Sequence, residues 1–287
     1  MRVWVAKGHA GVKAAMMAGF QPLPFSMLST PGRIGVIAAL PEELQSLLDA
    51  MPDAQAIERA GRTFWVGHLQ GRAIVAVLSR IGKVAAATTT TVLLTEMACR
   101  QIIFTGVAGG LGPDVRVGDV VVADALVQHD MDASPLFPRY ELPGLGVSHL
   151  HPPVDLTARV HEVVSEALSP QALSVNGPLK DVHLASLGLG LPRVHRGLIA
   201  SGDQFVNAAA DCDTLRHHLP GVLAVEMEGA AVAQVCHDFD TPYVVLRTIS
   251  DRADESAHID FPRFVRAVAC RYALVMIEAL LRPDRGS

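Results

Sequence analysis

The chain has 287 residues, of which 50% are apolar and 18% charged, which is enough apolar material for a large buried core. The formal net charge is -5, with acidic and basic residues mixed and no polybasic run, so we expect no nucleic acid partner. No apolar run reaches the roughly 18–20 residues that span a bilayer, so we predict no membrane contact. The four cysteines are too far apart for a zinc site or a disulfide framework. We therefore predict reduced thiols in a cytoplasmic protein without a metal or cofactor.

The first 32 residues differ in composition from the rest of the chain. Lys7, His9 and Lys13 interrupt the apolar stretch that a signal peptide needs, and a segment rich in Pro, Ser and Thr follows. We therefore predict an N-terminal extension over residues 1–32. A single domain is predicted over residues 33–287.

The first half of that domain alternates strand-like and helix-like segments. A short apolar strand from Ile34 to Leu40 meets Pro41-Glu42-Glu43, and proline followed by acids is typical of a helix start. Further strands are predicted over residues 63–69, 73–78, 101–105 and 119–126, with a hairpin at 70–72, a helix at about 84–98 and a glycine-rich turn at 106–110.

The second half continues the alternation after a loop-like stretch over residues 128–153. We predict helices over about 156–168, from near Met227, and over about 261–281, and strands over 196–201, 222–225 and 243–249. Residues 169–192 have little periodicity and are predicted to form an insertion over the surface. The alternation indicates an α/β fold: one domain with a central, mostly parallel mixed sheet flanked by helices.

Acidic residues follow several of these strands. Ligands in α/β sheets bind outside the carboxyl ends of the strands, and the residues predicted there are Glu42, Glu43, Gly106–Gly110, Glu226, Glu228, Ser250 and Asp251. Each acid alone also fits a helix start, an N-cap or an ordinary surface position. The glycine segment lacks both the dinucleotide and the phosphate-loop pattern. His129 and Asp130 are adjacent on an extended chain and point to opposite faces, so we assign them a structural role.

Eight segments of the chain form a set of motifs: IGVIAALPEEL (34–44), IGKVAAA (81–87), TGVAGG (105–110), VGDVVVA (117–123), QHD (128–130), RGLIASGDQFVN (196–207), AVEMEGA (224–230) and VLRTISD (245–251). Taken together, these motifs resemble the nucleoside phosphorylase superfamily and, within it, the methylthioadenosine/S-adenosylhomocysteine nucleosidases. The motifs extend over nearly the whole predicted domain. SGDQFVN, VEMEGA and the terminal ISD are the most specific.

The resemblance implies a purine nucleoside substrate and a role for each matched residue. Glu43 activates the attacking water, with Glu42 the weaker candidate, and Asp251, supported by Ser250, donates a proton to purine N7. Glu228 holds the ribose hydroxyls and Met227 lies against the sugar. The remaining residues implied in substrate binding are Glu226, Phe205 stacking on the base, Val206 at the adenine edge, Ile81, Val107, Ala108 and Gly109 in the pocket wall, and Arg247 beside the acids.

The expected reaction is hydrolysis rather than phosphorolysis. Phosphorylases of this fold carry arginines in the first turn and just before the glycine segment, whereas this chain has neither, and Glu43 would repel a phosphate dianion. The alternatives are a futalosine-type nucleosidase, a purine nucleoside phosphorylase and a non-catalytic nucleoside-binding protein. Val107 stands where Ser or Thr is usual. The resemblance also implies a homodimer, in which residues 132–137 form a lid or reach the neighbouring subunit's site.

Overall fold

A computed structural model describes residues 32–174, 176–252 and 261–282. Its centre is a 10-stranded mixed sheet. The strands are β1 (Arg33–Ala38), β2 (Gln55–Arg59), β3 (Arg62–Leu69), β4 (Arg72–Leu78), β5 (Cys99–Gly110), β6 (Val120–Gln128), β7 (His149–Leu150), β8 (Val194–Ser201), β9 (Val222–Glu226) and β10 (Tyr243–Asp251). The predicted extension over residues 1–32 lies, except for Gly32, outside the described residues.

Helices surround the sheet. They are α1 (Pro41–Asp49), α2 (Lys83–Thr95), α3 (Val154–Ala167), α4 (Ala209–His218), α5 (Gly229–Asp238) and α6, which is α-helical over Phe261–Phe264 and Cys270–Leu281 and π-helical over Val265–Ala269. A single 3-10 turn covers Leu184–Leu187. Within the described ranges, no helix is long and apolar enough to cross a membrane.

Five of the strands form a closed ring, in the order β5, β10, β6, β8, β9 and back to β5. From β5 the sheet extends outward through β1 and β4 to the β3 and β2 hairpin. The longest ladders, β10 with β5 and β6 with β8, are parallel. The predicted α/β fold with a central mixed sheet and flanking helices is therefore confirmed, and the closure of the ring is a feature that the sequence did not indicate.

The core has two main layers because successive side chains of the central strands point to opposite faces. In β5, Phe104 packs into the layer under α2 and α5, and Ile103 into the layer under α1, α3 and α6. β10 repeats this alternation with Val245 and Val244. The central strands are buried on both faces, which explains their nearly continuous apolar sequences.

Two sequence-based predictions are corrected by the structure. Gly106–Gly110 is not a turn, because β5 continues to Gly110 and pairs with β10 as far as Gly109. The 169–192 segment does not simply lie over the surface. Its residues Leu179 and Val182 are buried against the same layer as α3 and α6.

Candidate functional site

The last residues of β5 form the floor of the candidate site. β10 runs parallel to them, with Arg247 opposite Gly106 and Asp251 opposite Gly109. On the other side β9 approaches antiparallel, with Val225 opposite Gly109. The ends of β9 and β10, which bear the predicted acids, therefore border one short glycine-rich stretch.

The turn that carries Glu43 also rests on this floor. The Ala39 amide donates a hydrogen bond to the Thr105 carbonyl at 3.1 Å. A Cβ added at Gly106 would lie 2.6 Å from the Ala39 Cβ and 3.3 Å from Nη1 of Arg247. Glycine is thus required at residue 106 because the first turn and the β10 arginine both approach the β5 backbone.

Glu43 is fully buried at the start of α1. The Leu40 amide donates to its Oε2 at 3.2 Å, and its Oε1 has no hydrogen-bond partner among the described residues. Burial raises the pKa of this carboxyl to about 7, against the lowering effects of the Leu40 hydrogen bond and the Arg247 charge. A carboxyl with this pKa exchanges a proton readily near neutral pH, which is the property a general base needs.

Glu42 points elsewhere. Its side chain is exposed and lines a surface cavity of about 420 Å³ between α1 and α6, together with Asp49 and Arg266. The structure therefore separates the two adjacent glutamates, and only Glu43 faces the interior beside β5.

Glu226 and Arg247 form a buried ion pair. Nη2 of Arg247 lies 2.6 Å from Oε2 of Glu226, and the arginine is completely buried with its guanidinium 4.0 Å from the centre of the Phe104 ring. Glu226 also accepts hydrogen bonds from the Ser201 hydroxyl and from the amides of Glu228 and Gly229. Both oxygens of Glu226 are thus occupied by protein groups, so this geometry does not support the prediction that Glu226 contacts substrate.

Glu228 lies two residues beyond the end of β9, at the start of α5, and is 8% exposed. The Gly82 amide donates to its Oε1 at 2.8 Å. Burial and then the neighbouring Glu226 charge raise its pKa to about 7. Burial therefore raises the pKa of both Glu43 and Glu228, so each carboxyl can exchange a proton near neutral pH.

Asp251 ends β10 and is partly exposed. The Ser250 hydroxyl donates to its Oδ2 at 2.8 Å. Ser250 is itself buried. The Ser250 hydroxyl therefore contacts the Asp251 carboxyl that it was predicted to support.

The other predicted site residues lie around the same strand ends with different exposure. Ala108 and Gly109 are buried in β5, and Val107 and Met227 are partly exposed. Val206 is buried, whereas Phe205 is 73% exposed and Ile81 is 77% exposed. Ile81 precedes Lys83 by two residues and Phe205 follows Asp203 by two, and the Lys83 amide donates to Asp203 at 2.7 Å.

Sequence reasoning missed the residues that connect these elements. Asp203 and Lys83 of α2 were not singled out, although both lie within the quoted motifs. Asp203 belongs to the 202–207 segment, hereafter called the base loop because the resemblance implies that its Phe205 stacks on the base. Asp130 was assigned a structural role, and it contacts both: its carboxylate accepts from Nζ of Lys83 and from the Asp203 amide. The sequence did contain a signal for these residues, because their charged side chains occur within or beside motifs that were assigned to substrate binding.

Comparison with known proteins identifies the family. The model of the phosphorylase superfamily matches residues 33–282. The structure of a 5'-methylthioadenosine/S-adenosylhomocysteine nucleosidase from Neisseria meningitidis, in complex with methylthio-immucillin-A, is 33% identical with a TM-score of 0.73, covering 87% of this chain and 98% of that chain. The chain belongs to the methylthioadenosine/S-adenosylhomocysteine nucleosidase family of this superfamily.

Other nucleosidases of the superfamily resemble this chain to nearly the same degree as the Neisseria meningitidis enzyme does. An S-adenosylhomocysteine nucleosidase from Streptococcus pyogenes, in complex with 5-methylthiotubericidin, is 32% identical with a TM-score of 0.74 and coverage of 88% and 97% of the two chains. A futalosine hydrolase from Helicobacter pylori is 32% identical with a TM-score of 0.72 and coverage of 86% and 97%. The resemblance in sequence is therefore matched by a resemblance in fold.

Proposed function

We propose that this protein hydrolyses the N-glycosidic bond of 5'-methylthioadenosine and S-adenosylhomocysteine, releasing adenine and the corresponding thio-ribose. The observation that carries the proposal is the buried Glu43, which faces the site with one carboxylate oxygen unbonded within the described chain. The related nucleosidases from Neisseria meningitidis and Streptococcus pyogenes support the choice of substrates.

In the proposed reaction the bond between ribose C1′ and purine N9 breaks, and its electron pair goes to the base. Asp251 donates a proton to N7, which neutralises the leaving base, and Ser250 orients the Asp251 carboxyl. Positive charge develops on the sugar, where the Glu228 carboxylate stabilises it and holds the ribose hydroxyls. Glu43 accepts a proton from water as the water oxygen bonds to C1′.

The remaining predicted residues bind or position the substrate. Phe205 stacks on the base, and the Val206 backbone meets its edge. Met227 lies against the sugar, while Ile81 and Val107 to Gly109 form the pocket wall. Glu226 takes a positioning role, because its hydrogen bonds to the Glu228 and Gly229 amides fix the start of α5.

Arg247 bears on the choice between water and phosphate. It is the natural candidate for a phosphate-binding cation beside β5, but its side chain is fully buried and paired with Glu226. A phosphate dianion would therefore meet Glu43 without an available guanidinium from β10. This supports hydrolysis.

A substrate panel tests the proposal. The protein is incubated with methylthioadenosine, S-adenosylhomocysteine, adenosine and aminodeoxyfutalosine, with and without phosphate, and free adenine is measured. We expect phosphate-independent release from the first two. Phosphate-dependent release would make the protein a phosphorylase, preference for aminodeoxyfutalosine would favour the futalosine-type alternative, and no release from a folded sample would favour the nucleoside-binding alternative.

We also propose that the protein is a homodimer whose interface borders the site. Four large apolar side chains are exposed in three segments: Ile81 at 77% and Val84 at 78% at the start of α2, Leu136 at 81% in the 132–137 segment, and Phe205 at 73% in the base loop. Exposed apolar side chains that lie together mark interaction surfaces. Leu136→Glu is expected to convert a dimer to a monomer in light scattering, and an unchanged mass would refute this interface. Cytoplasmic location stays a prediction.

A further inference from the structure

We infer that Lys83 is a positioning residue for substrate binding: with Asp130 and Asp203 it forms a closed polar ring that fixes the base loop relative to the ribose-binding Glu228. The inference deepens the proposed function and rests on it for the roles of the base loop and Glu228. The ring itself consists of contacts observed in the protein.

Three hydrogen bonds close the ring. The Lys83 amide donates to Oδ1 of Asp203 at 2.7 Å, and the Asp203 amide donates to Oδ2 of Asp130 at 2.9 Å. Nζ of Lys83 donates to Oδ1 of Asp130 at 2.6 Å, which completes the ring. Each of the three residues thus contacts the other two, and together they join α2, the segment after β6 and the base loop.

The same turn holds the ribose-binding carboxylate. The Gly82 amide donates to Glu228 at 2.8 Å, while the next amide in the chain, that of Lys83, donates to Asp203. The first amides of a helix have no partners within the helix and readily bind carboxylates. Two consecutive amides therefore set the spacing between the group that holds the sugar and the loop that holds the base.

Glycine is needed at residue 82 for this arrangement. Its φ of 95° is in the region that favours glycine. An added Cβ would lie 3.0 Å from Oδ1 of Asp203. The turn is thus shaped to bring the Asp203 carboxylate against the start of α2.

The Lys83 charge is what makes the ring stable. Its side chain is only 17% exposed and also donates to Oε1 of Gln128 at 3.1 Å. Burial raises the pKa of Asp130, but the hydrogen bonds from Lys83 and the Asp203 amide lower it by more than burial raises it. Asp130 therefore remains a carboxylate. Without the ammonium, the Asp130 carboxylate would lose its cation, and the hydrogen bond from the Lys83 amide to Asp203 would be the only part of the ring still joining the base loop to α2.

Three variants test the inference. Lys83→Met removes the ammonium and keeps the backbone amide, Lys83→Arg restores a cation, and Lys180→Met is the control because Lys180 is exposed in the 169–192 segment. For Lys83→Met we expect KM for methylthioadenosine and Kd for adenine to rise about tenfold while kcat changes less than about twofold. Lys83→Arg is expected to recover most of this loss, and Lys180→Met to match the wild type.

Hydrogen exchange gives a readout that needs no activity. In Lys83→Met the amides from Asp203 to Val206 are expected to exchange faster than in the wild type and in Lys180→Met. Unchanged exchange there, or a fall in kcat with KM and adenine Kd unaltered, would overturn the inference. A wild-type protein that released no adenine would refute the proposed function, and the exchange rates would still decide whether the ring holds the loop.

Discussion

Replacing Glu43 by glutamine is expected to stabilise the protein above neutral pH while abolishing most of its activity. Burial raises the pKa of Glu43 from 4.5 to about 7. The folded protein therefore holds this proton more tightly than the unfolded chain, so the contribution to stability is complete below about pH 4.5 and is lost as pH rises to about 7. At about 1.4 kcal/mol per pH unit, the loss amounts to roughly 3 kcal/mol.

Glutamine resembles the protonated carboxyl and does not titrate. Near pH 8–9 the variant should therefore exceed the wild type by up to roughly 3 kcal/mol in free energy of unfolding, and near pH 4.5 the difference should vanish. Removal of a general base should lower kcat/KM by roughly 10²- to 10⁴-fold. Urea unfolding at several pH values and adenine release measure the two effects.

The matched control is Glu42→Gln, one residue earlier and exposed. It is expected to keep both the activity and the pH dependence of stability. An equal stability change in Glu43→Gln at low and high pH would refute the desolvation argument. Loss of activity in Glu42→Gln instead of Glu43→Gln would transfer the role of base to Glu42.

Three further predictions concern the same site. Asp251→Asn should lower adenine release by roughly 10²- to 10⁴-fold with unchanged circular dichroism, and near wild-type turnover would exclude Asp251 as the acid. Arg247→Met should cost roughly 3–5 kcal/mol in urea unfolding because Glu226 is left buried without its cation, and an unaltered midpoint would contradict this. The wild-type kcat/KM should rise with pH through about 7 as Glu43 and Glu228 both lose their protons, and the rise should be less steep in Glu43→Gln; a flat wild-type profile in this range would argue against Glu43 as the base.

Much of the fold could be predicted because apolar runs and helix starts are local signals. Pro41 with its following acids marks the start of α1, and α6 follows its apolar stripe. β2 was missed because its residues are mostly exposed and lack alternation. α4 was missed because only Cys212 and Leu215 of its residues are buried. Neither element carries enough apolar surface to produce a pattern in the sequence.

In the candidate site, too, some features could be predicted from the sequence and others could not. The sequence places Glu226 and Glu228 at the end of one strand but does not distinguish them, since their difference depends on distant partners. Glu226 meets Arg247 from β10 and Ser201 from β8, whereas Glu228 meets the Gly82 amide from the start of α2. These contacts exist only once the strands are assembled, so local pattern could not assign the two glutamates their separate surroundings.

The closed ring of β5, β10, β6, β8 and β9 has a consequence for biosynthesis. β5 emerges from the ribosome early, but two of its neighbours, β9 and β10, come from the last third of the chain. Pairing over such distances in sequence is slow, and an unpaired apolar strand is prone to aggregation until its partners arrive. A prematurely terminated chain would therefore expose one edge of β5 and lack Asp251, so incomplete synthesis would yield an aggregation-prone species rather than a weakly active enzyme.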